Sequence, residues 1–315
     1  MISCLNHIKR TSNNVRPGAP PLYTDTAWCG DRSGSMSSMG PSPQEGARGF
    51  LEEHKKMAID LNCKYGYFLE LTTFDDKALT YYDDDAKNIK DKDLAIAESS
   101  MVPRGMTRFY DTALECVKRQ QERIDAVYDS FPKKVQQLMK DQKLISCVFV
   151  TFTDGLDNSS KAGKSELNQC IENHRKSYNA TCLFLAANQN ADSVGRRLGF
   201  GKAECLQMGS DRTSAKMALK SATSASLRTV TGECASFTQL EREVSSTPME
   251  SLRYSNLPSG AAALAMHLPP PGEEWDQSSP VSNLFPAQPP IPKRQGHMHP
   301  RFQQLRTQHQ NYQVQ

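Results

Sequence analysis

From residue 22 to about residue 232 the chain alternates between two kinds of apolar spacing. Ala47, Phe50, Leu51, His54, Met57, Ala58 and Leu61 recur at helical intervals and predict an amphipathic helix from Gln44 onward. Residues 64–74 (KYGYFLELTTF) are aromatic and β-branched, the composition of a buried strand. Residues 78–82 read as a short antiparallel edge strand after a turn at Asp75-Asp76-Lys77, with Asp83-Asp84-Asp85 opening an exposed acidic connection. Helices are expected over 89–98 and 110–127, and 130–143 is either a charged extension or a second helix. Residues 144–152 (LISCVFVTF) are almost continuously apolar, as in strands covered on both faces of a parallel sheet. A helix over 164–178, a strand over 181–187, a short helix over 192–198 and a short strand over 204–208 follow. The last helix, 210–230, is rich in small residues and is capped by Ser210 or Asp211. The alternation predicts an α/β fold: a doubly wound, mostly parallel sheet with one antiparallel edge strand and helices on both faces.

The candidate chemistry lies between these elements. In Asp31-Arg32-Ser33-Gly34-Ser35-Met36 one carboxylate and two hydroxyls stand at alternate positions, with a glycine between the hydroxyls. Only a tight loop turns all three toward one point, and oxygen-only ligands suit a hard cation such as Mg²⁺ or Mn²⁺. The loop follows a partly apolar stretch, 23–29, and precedes a helix, where open α/β sheets place their ligand sites. Gly105-Met106-Thr107 adds a hydroxyl on a glycine-containing loop. Thr151-Phe152-Thr153-Asp154-Gly155 closes an apolar strand with a carboxylate and a glycine.

Asp-x-Ser-x-Ser, a lone Thr and a late Thr-Asp-Gly, in that order, resemble the metal-ion-dependent adhesion site of von Willebrand factor type A domains, over roughly residues 20–235. The resemblance implies the same sheet architecture. It also implies that Ser33 and Ser35 bind the metal directly, Thr107 directly or through water, and Asp31 and Asp154 mainly through bound water. The cation would then be completed by a partner's Glu or Asp. Arg32 and Met36 would flank the site and meet that partner; Asp157 would act on it electrostatically or, in the plainer reading that is favoured for it, is a solvated loop carboxylate. The plainer alternative is that Asp31 and Ser35 only cap the following helix. One departure stands out: type A domains lead into the first loop with five or more apolar residues, whereas here the lead is Thr24-Asp25-Thr26-Ala27-Trp28-Cys29-Gly30, which predicts a weak strand and a less rigid site. The stretch Phe184-Leu185-Ala186-Ala187-Asn188-Gln189-Asn190-Ala191, with Leu198-Gly199-Phe200 after it, resembles stand-alone intracellular type A proteins of prokaryotes, viruses and protists.

Composition narrows the context. The 315 residues allow one domain of about 200 residues plus extensions. A hydrophobic content of 37% and a mean hydropathy of −0.61 predict that part of the chain is unfolded. A net charge of +3 offers no electrostatic case for nucleic acid. Nine cysteines are scattered, with no Cys-x-x-Cys pair. Cys29, Cys147, Cys182 and Cys205 lie in apolar runs, which argues for a reducing compartment rather than for disulfides or zinc. Residues 1–20 carry Lys9, Arg10 and Arg16 without a signal-type apolar core, and no run reaches the roughly 18 apolar residues of a membrane span.

The expected organisation is a flexible segment at 1–20, the domain at 21–235 and a Pro/Gln-rich disordered tail at 246–315, in a cytoplasmic or otherwise intracellular protein. In the tail, Pro289, Pro292 and Arg294 match the polyproline pattern that SH3-type partners bind. The expected function is a non-enzymatic, Mg- or Mn-dependent protein-binding module. The alternative is a scaffold component of a larger assembly, such as a virion or an ATPase-associated complex, with the metal incidental. A metal-dependent hydrolase would need a nucleophile or a water-activating base, and no paired His, reactive-Cys setting or Lys-bearing phosphate loop stands near the three loops.

Overall fold

Strand β1 (Tyr23–Asp31) runs through the middle of a six-stranded sheet. On one side it pairs in parallel with β2 (Tyr67–Phe74), which pairs antiparallel with the edge strand β3 (Ala78–Asp85). On the other side come β4 (Ile145–Thr153), β5 (Thr181–Ala186) and β6 (Cys205–Gln207), all parallel. The order β3-β2-β1-β4-β5-β6 is that of a doubly wound sheet with its switch point between β1 and β4. The computed structural model describes residues 21–233 and 236–246.

Helices cover both faces. α1 (Ser42–Leu61), α2 (Asp91–Ser100) and, after the segments below, α7 (Arg212–Val230) pack on one side around Trp28, Phe50, Leu69, Val150 and Leu219. α3 (Phe109–Asp129), α4 (Lys133–Asp141), α5 (Lys164–Ser177) and α6 (Ala191–Arg197) lie on the other, around Cys29, Phe74, Val117, Phe149 and Phe184. The charged stretch after α3 is therefore a helix, burying Val135 and Met139. Asp211 caps α7, accepting from the Thr213 and Ser214 N–H groups at 3.0 Å each. The domain expected to end near 235 is followed by a further helix, α8 (Gln239–Ser246), fastened by Arg242 to the Ala203 and Cys205 carbonyls.

The structure differs from the sequence reading in two places. Asp83, Asp84 and Asp85 are not an exposed connection. They extend β3 opposite Glu70, Leu69 and Phe68, and Asp85 accepts from the Lys87 N–H to cap a short turn. A register shift at Leu71/Thr72 lets the pairing continue that far. β1 is not a weak strand either: all nine positions are buried, and both neighbours hold it in register. Its polar residue Asp25 has partners inside the fold. Arg123 grips the carboxylate with two nitrogens at 2.8 and 2.9 Å, and Gln120 and Tyr23 each donate at 3.0 Å. The expected segment at 1–20 and the tail beyond 246, with Pro289, Pro292 and Arg294, lie outside the described residues.

Candidate metal centre

Two strand ends and one loop converge at the switch point. Asp31 is the last residue of β1, Thr153 the last of β4, and the loop before α3 carries Thr107 beside them. Gly30 lets β1 approach β4 closely, because a Cβ there would meet the Phe152 ring at 2.9 Å and the Trp28 indole nitrogen at 2.7 Å. After Asp31 the chain makes a short 3-10 turn, Gly34–Met39, before α1 begins.

Asp31 is fully buried. Its Oδ1 accepts from the Ser33 N–H at 2.7 Å and its Oδ2 from the Thr153 hydroxyl at 2.6 Å. Ser33 Oγ and Ser35 Oγ lie 3.1 Å apart, and Ser35 donates to Asp154 Oδ1 at 2.6 Å. Asp31, Ser33, Ser35 and Asp154 thus form one connected group spanning two strands. The capping alternative does not describe this geometry: the Ser35 hydroxyl reaches a carboxylate on another loop, and no side chain caps the turn.

Thr107 is brought to the same end by backbone bonds. Gly34 N–H donates to the Gly105 carbonyl at 3.2 Å, and Arg104 N–H to the Arg32 carbonyl at 2.8 Å. The Thr107 carbonyl accepts from the Asn158 and Ser159 N–H groups at 3.0 and 3.2 Å, while Asn158 Oδ1 accepts from the Thr107 N–H at 2.9 Å. Gly105 has a φ of +67°, and a Cβ on it would strike Asp76 Oδ1, so only glycine closes this turn.

Two of the expected partner-facing residues do not face a partner. Arg32 is 2% exposed, with its guanidinium bonded to the Tyr81 hydroxyl, the Ser100 carbonyl and Asp75 at 2.7, 3.2 and 3.0 Å. Met36 is fully buried among the apolar side chains under α1 and α7. The alternation that turns Ser33 and Ser35 toward the site turns Arg32 and Met36 into the protein. Asp157 is half-buried and serves the framework, accepting from the Tyr110 N–H at 2.9 Å and from the Ser160 N–H and hydroxyl at 3.0 and 2.6 Å.

Other contributors escaped the sequence reading. Asn158 holds Thr107, while Thr153, read only as part of the Thr-Asp-Gly motif, occupies one oxygen of Asp31. Asp75 joins Arg32 to Arg104 through one oxygen, and Asp76 accepts from the Met106 N–H at 2.6 Å. The available signal was a pair of carboxylates in the turn after β2, the strand beside β1.

Burial shifts both carboxylates of the site upward. Burial pushes the Asp31 carboxyl up from 3.8 to about 6, against the opposing pull of its hydrogen bonds from Thr153 and Ser33. Burial also raises Asp154, partly offset by the Ser35 hydroxyl. Asp154 Oδ2 is buried without a hydrogen-bond partner, which fits a bound cation or a water held by one. Among the described residues no group of three or more His, Cys, Asp or Glu side chains could hold a metal, so a cation here depends on hydroxyls. Ser33, Ser35, Thr107, Asp31 and Asp154 together offer the hard oxygen donors that Mg²⁺ or Mn²⁺ takes.

No family model and no curated protein matches the chain. Among solved structures it is similar to proximal thread matrix protein 1 of the mussel byssus, with a zinc-occupied adhesion-site motif, at 16% identity and a TM-score of 0.41, over 69% of this chain and 46% of that one. It is similar to a von Willebrand factor type A protein of Catenulispora acidiphila at 16% identity and a TM-score of 0.39, over 65% and 43%. It is also similar to the manganese-loaded TRAP protein of Plasmodium vivax at 16% identity and a TM-score of 0.38, over 64% and 72%. The chain thus spans less than half the length of the first two. The fold assignment rests on the sheet and its loops rather than on these likenesses: with β1 and β4 flanking the switch point and three hydroxyl- and carboxylate-bearing loops at their ends, the chain has a von Willebrand factor type A-like fold.

Proposed function

We propose that this chain is a non-enzymatic protein-binding module that depends on a divalent cation, Mg²⁺ or Mn²⁺, and that an acidic side chain of the partner completes the cation's coordination. The observation that carries this reading is the state of Asp31. Both of its oxygens already accept hydrogen bonds, from Ser33 and Thr153, which supports a role for Asp31 through bound water beside the serine hydroxyls as direct ligands. Neutral ligands offset little of a cation's charge, so an incoming carboxylate finds a strong electrostatic partner. Ser35 is exposed, so the site opens to the surface on the side that carries this hydroxyl.

The experiment is thermal unfolding of the full chain in EDTA, Mg²⁺ or Mn²⁺, beside Asp31→Ala. A ligand that binds only the folded state adds about 2.7 kcal/mol at 100 times its Kd. A metal-dependent rise in Tm that Asp31→Ala abolishes is expected. No rise at millimolar metal overturns the reading. A scaffold protein docked without use of the metal would keep its partner in EDTA, whereas this module releases it.

A further inference from the structure

We propose that the rim of the metal centre selects a partner segment in which the acidic residue is flanked by large apolar side chains. This deepens the reading above and rests on it. Of the large apolar side chains exposed among the described residues, three stand on the ligand loops, Val102, Met106 and Leu156, and the last two lie within two residues of a candidate ligand. Met106, 50% exposed, immediately precedes Thr107, and Leu156, 68% exposed, follows Asp154 by two residues. Singly scattered apolar side chains are ordinary on a protein surface. These two are set apart by where they stand and how their backbones are held.

The loops that carry them are tied to each other. The Thr107 carbonyl accepts from Asn158 and Ser159, Asn158 Oδ1 accepts from the Thr107 N–H, and the Met106 N–H is held by Asp76. Gly155 is tied in turn by the Gln189 side chain, which donates to its carbonyl at 3.3 Å. Two apolar side chains are therefore presented on fixed backbone beside the ligands, so little ordering cost attends their use in binding. The rest of the rim on the first loop is Gly34, Ser35, Ser37 and Ser38, all exposed and all uncharged.

The chemistry of the centre decides what covers this rim. Asp31 and Asp154 are bonded by hydroxyls and an N–H, so a cation held beside them is a positive charge that a carboxylate complements. A metal–carboxylate contact strengthens as water is excluded around it. Apolar neighbours of the partner's acidic residue, packed on Met106 and Leu156, would exclude that water, as the ring of contacts around an interface hot spot does. A carboxylate between small polar residues would leave the contact wet.

The test uses the full chain in saturating Mg²⁺ and two peptides, Gly-Leu-Glu-Leu-Gly and Gly-Ser-Glu-Ser-Gly with blocked ends, titrated by NMR, which reads weak binding. The leucine peptide is expected to bind at least tenfold tighter. The double variant Met106→Ser/Leu156→Ser should erase that preference while leaving the Mg²⁺-dependent rise in Tm unchanged. Equal binding of the two peptides, or a preference that survives in the double variant, overturns the rim proposal and leaves the carboxylate reading standing. Binding of neither peptide, in a protein that Mg²⁺ still stabilises, overturns the carboxylate reading and the rim proposal with it.

Discussion

Asp25 and Asp31 stand near opposite ends of one buried strand and are handled in opposite ways. Asp25 meets Arg123 in a two-pronged contact, and the same guanidinium donates to Glu70 Oε2 at 2.7 Å on the neighbouring strand. Arg119 and Thr72 bond the other oxygen of Glu70, at 2.5 and 2.9 Å. Burial works against the Glu70 carboxylate, but Arg123 and Arg119 outweigh it and hold the group down at about 2. Asp31, equally buried, has only a hydroxyl and an N–H, and rises to about 6. The fold thus neutralises its buried carboxylates with its own arginines under the middle of the sheet and leaves the pair at the loop end without a cation. The contrast supports the proposed reading, in which a bound cation supplies the charge beside Asp31 and Asp154.

The comparison breaks most forcefully at Arg123. Arg123→Met should destabilise the protein by about 3–5 kcal/mol, because it leaves Asp25 buried and half-paired and takes one of two arginines from Glu70. Chemical denaturation with and without Mg²⁺ checks this. The metal increment itself should survive the substitution, since Arg123 touches none of the site residues.

Asp31→Asn should have the opposite sign in metal-free protein. A carboxyl raised from 3.8 to about 6 costs about 3 kcal/mol when ionised in the folded state, and the amide carries no such cost. In EDTA at pH 8 the variant should match or exceed the wild type, by up to about 3 kcal/mol, and it should lose the response to Mg²⁺. Substantial destabilisation in EDTA would show that Asp31 is already compensated and would end the contrast with Asp25.

Acidity separates the two regions again. The Asp31 carboxyl is raised in the folded state, so its contribution to stability is complete below about pH 4 and is lost as the pH rises through about 6. Glu70 is lowered, so its contribution is present above about pH 4.5 and is lost as the pH falls through about 2. Between pH 4.5 and 7, metal-free wild type should therefore lose stability relative to Asp31→Asn, while Glu70 contributes a constant amount. Saturating Mg²⁺ should flatten the slope. Denaturation midpoints of both proteins across that range, in EDTA and in Mg²⁺, read the effect directly.

The contrast between Asp25 and Asp31 also marks what was legible in the sequence. The alternation of elements and the three loops could be read because each is local: apolar period, glycine, and a carboxylate or hydroxyl at a strand end. β1 was misjudged because the partners of Asp25 lie far along the chain, at Gln120 and Arg123 on α3, and no local pattern announces them. Arg32 and Met36 were misassigned for a related reason. Their neighbours Ser33 and Ser35 point to the candidate site, but alternation sends these two inward, where Asp75 and the space under α1 receive them. Asp83–Asp85 looked like a solvated turn because acidic runs usually are, yet they pair as part of the edge strand, where Asp83 and Asp84 are half-buried and Asp85 is buried and caps the next turn.

The smallest expected effect lies at Asn158, and it asks whether the site is held in place as firmly as the Asp25 cluster. The Asn158 amide oxygen is an acceptor for the Thr107 N–H, and two backbone bonds run between the same loops in the reverse direction. Asn158→Ala removes one bond of three and leaves the Thr107 N–H to find water. The loss should be about 1 kcal/mol in stability. In the proposed reading Thr107 is a ligand placed by this tie, so the Mg²⁺ concentration that gives the half-maximal Tm rise should increase by a few-fold, well short of the abolition expected for Asp31→Asn. Asp157→Asn, which loosens the same loop from the start of α3, should act in the same direction. If both variants lose stability but keep the wild-type metal dependence, Thr107 is held by its backbone alone, and the framework around Asn158 serves the fold rather than the site.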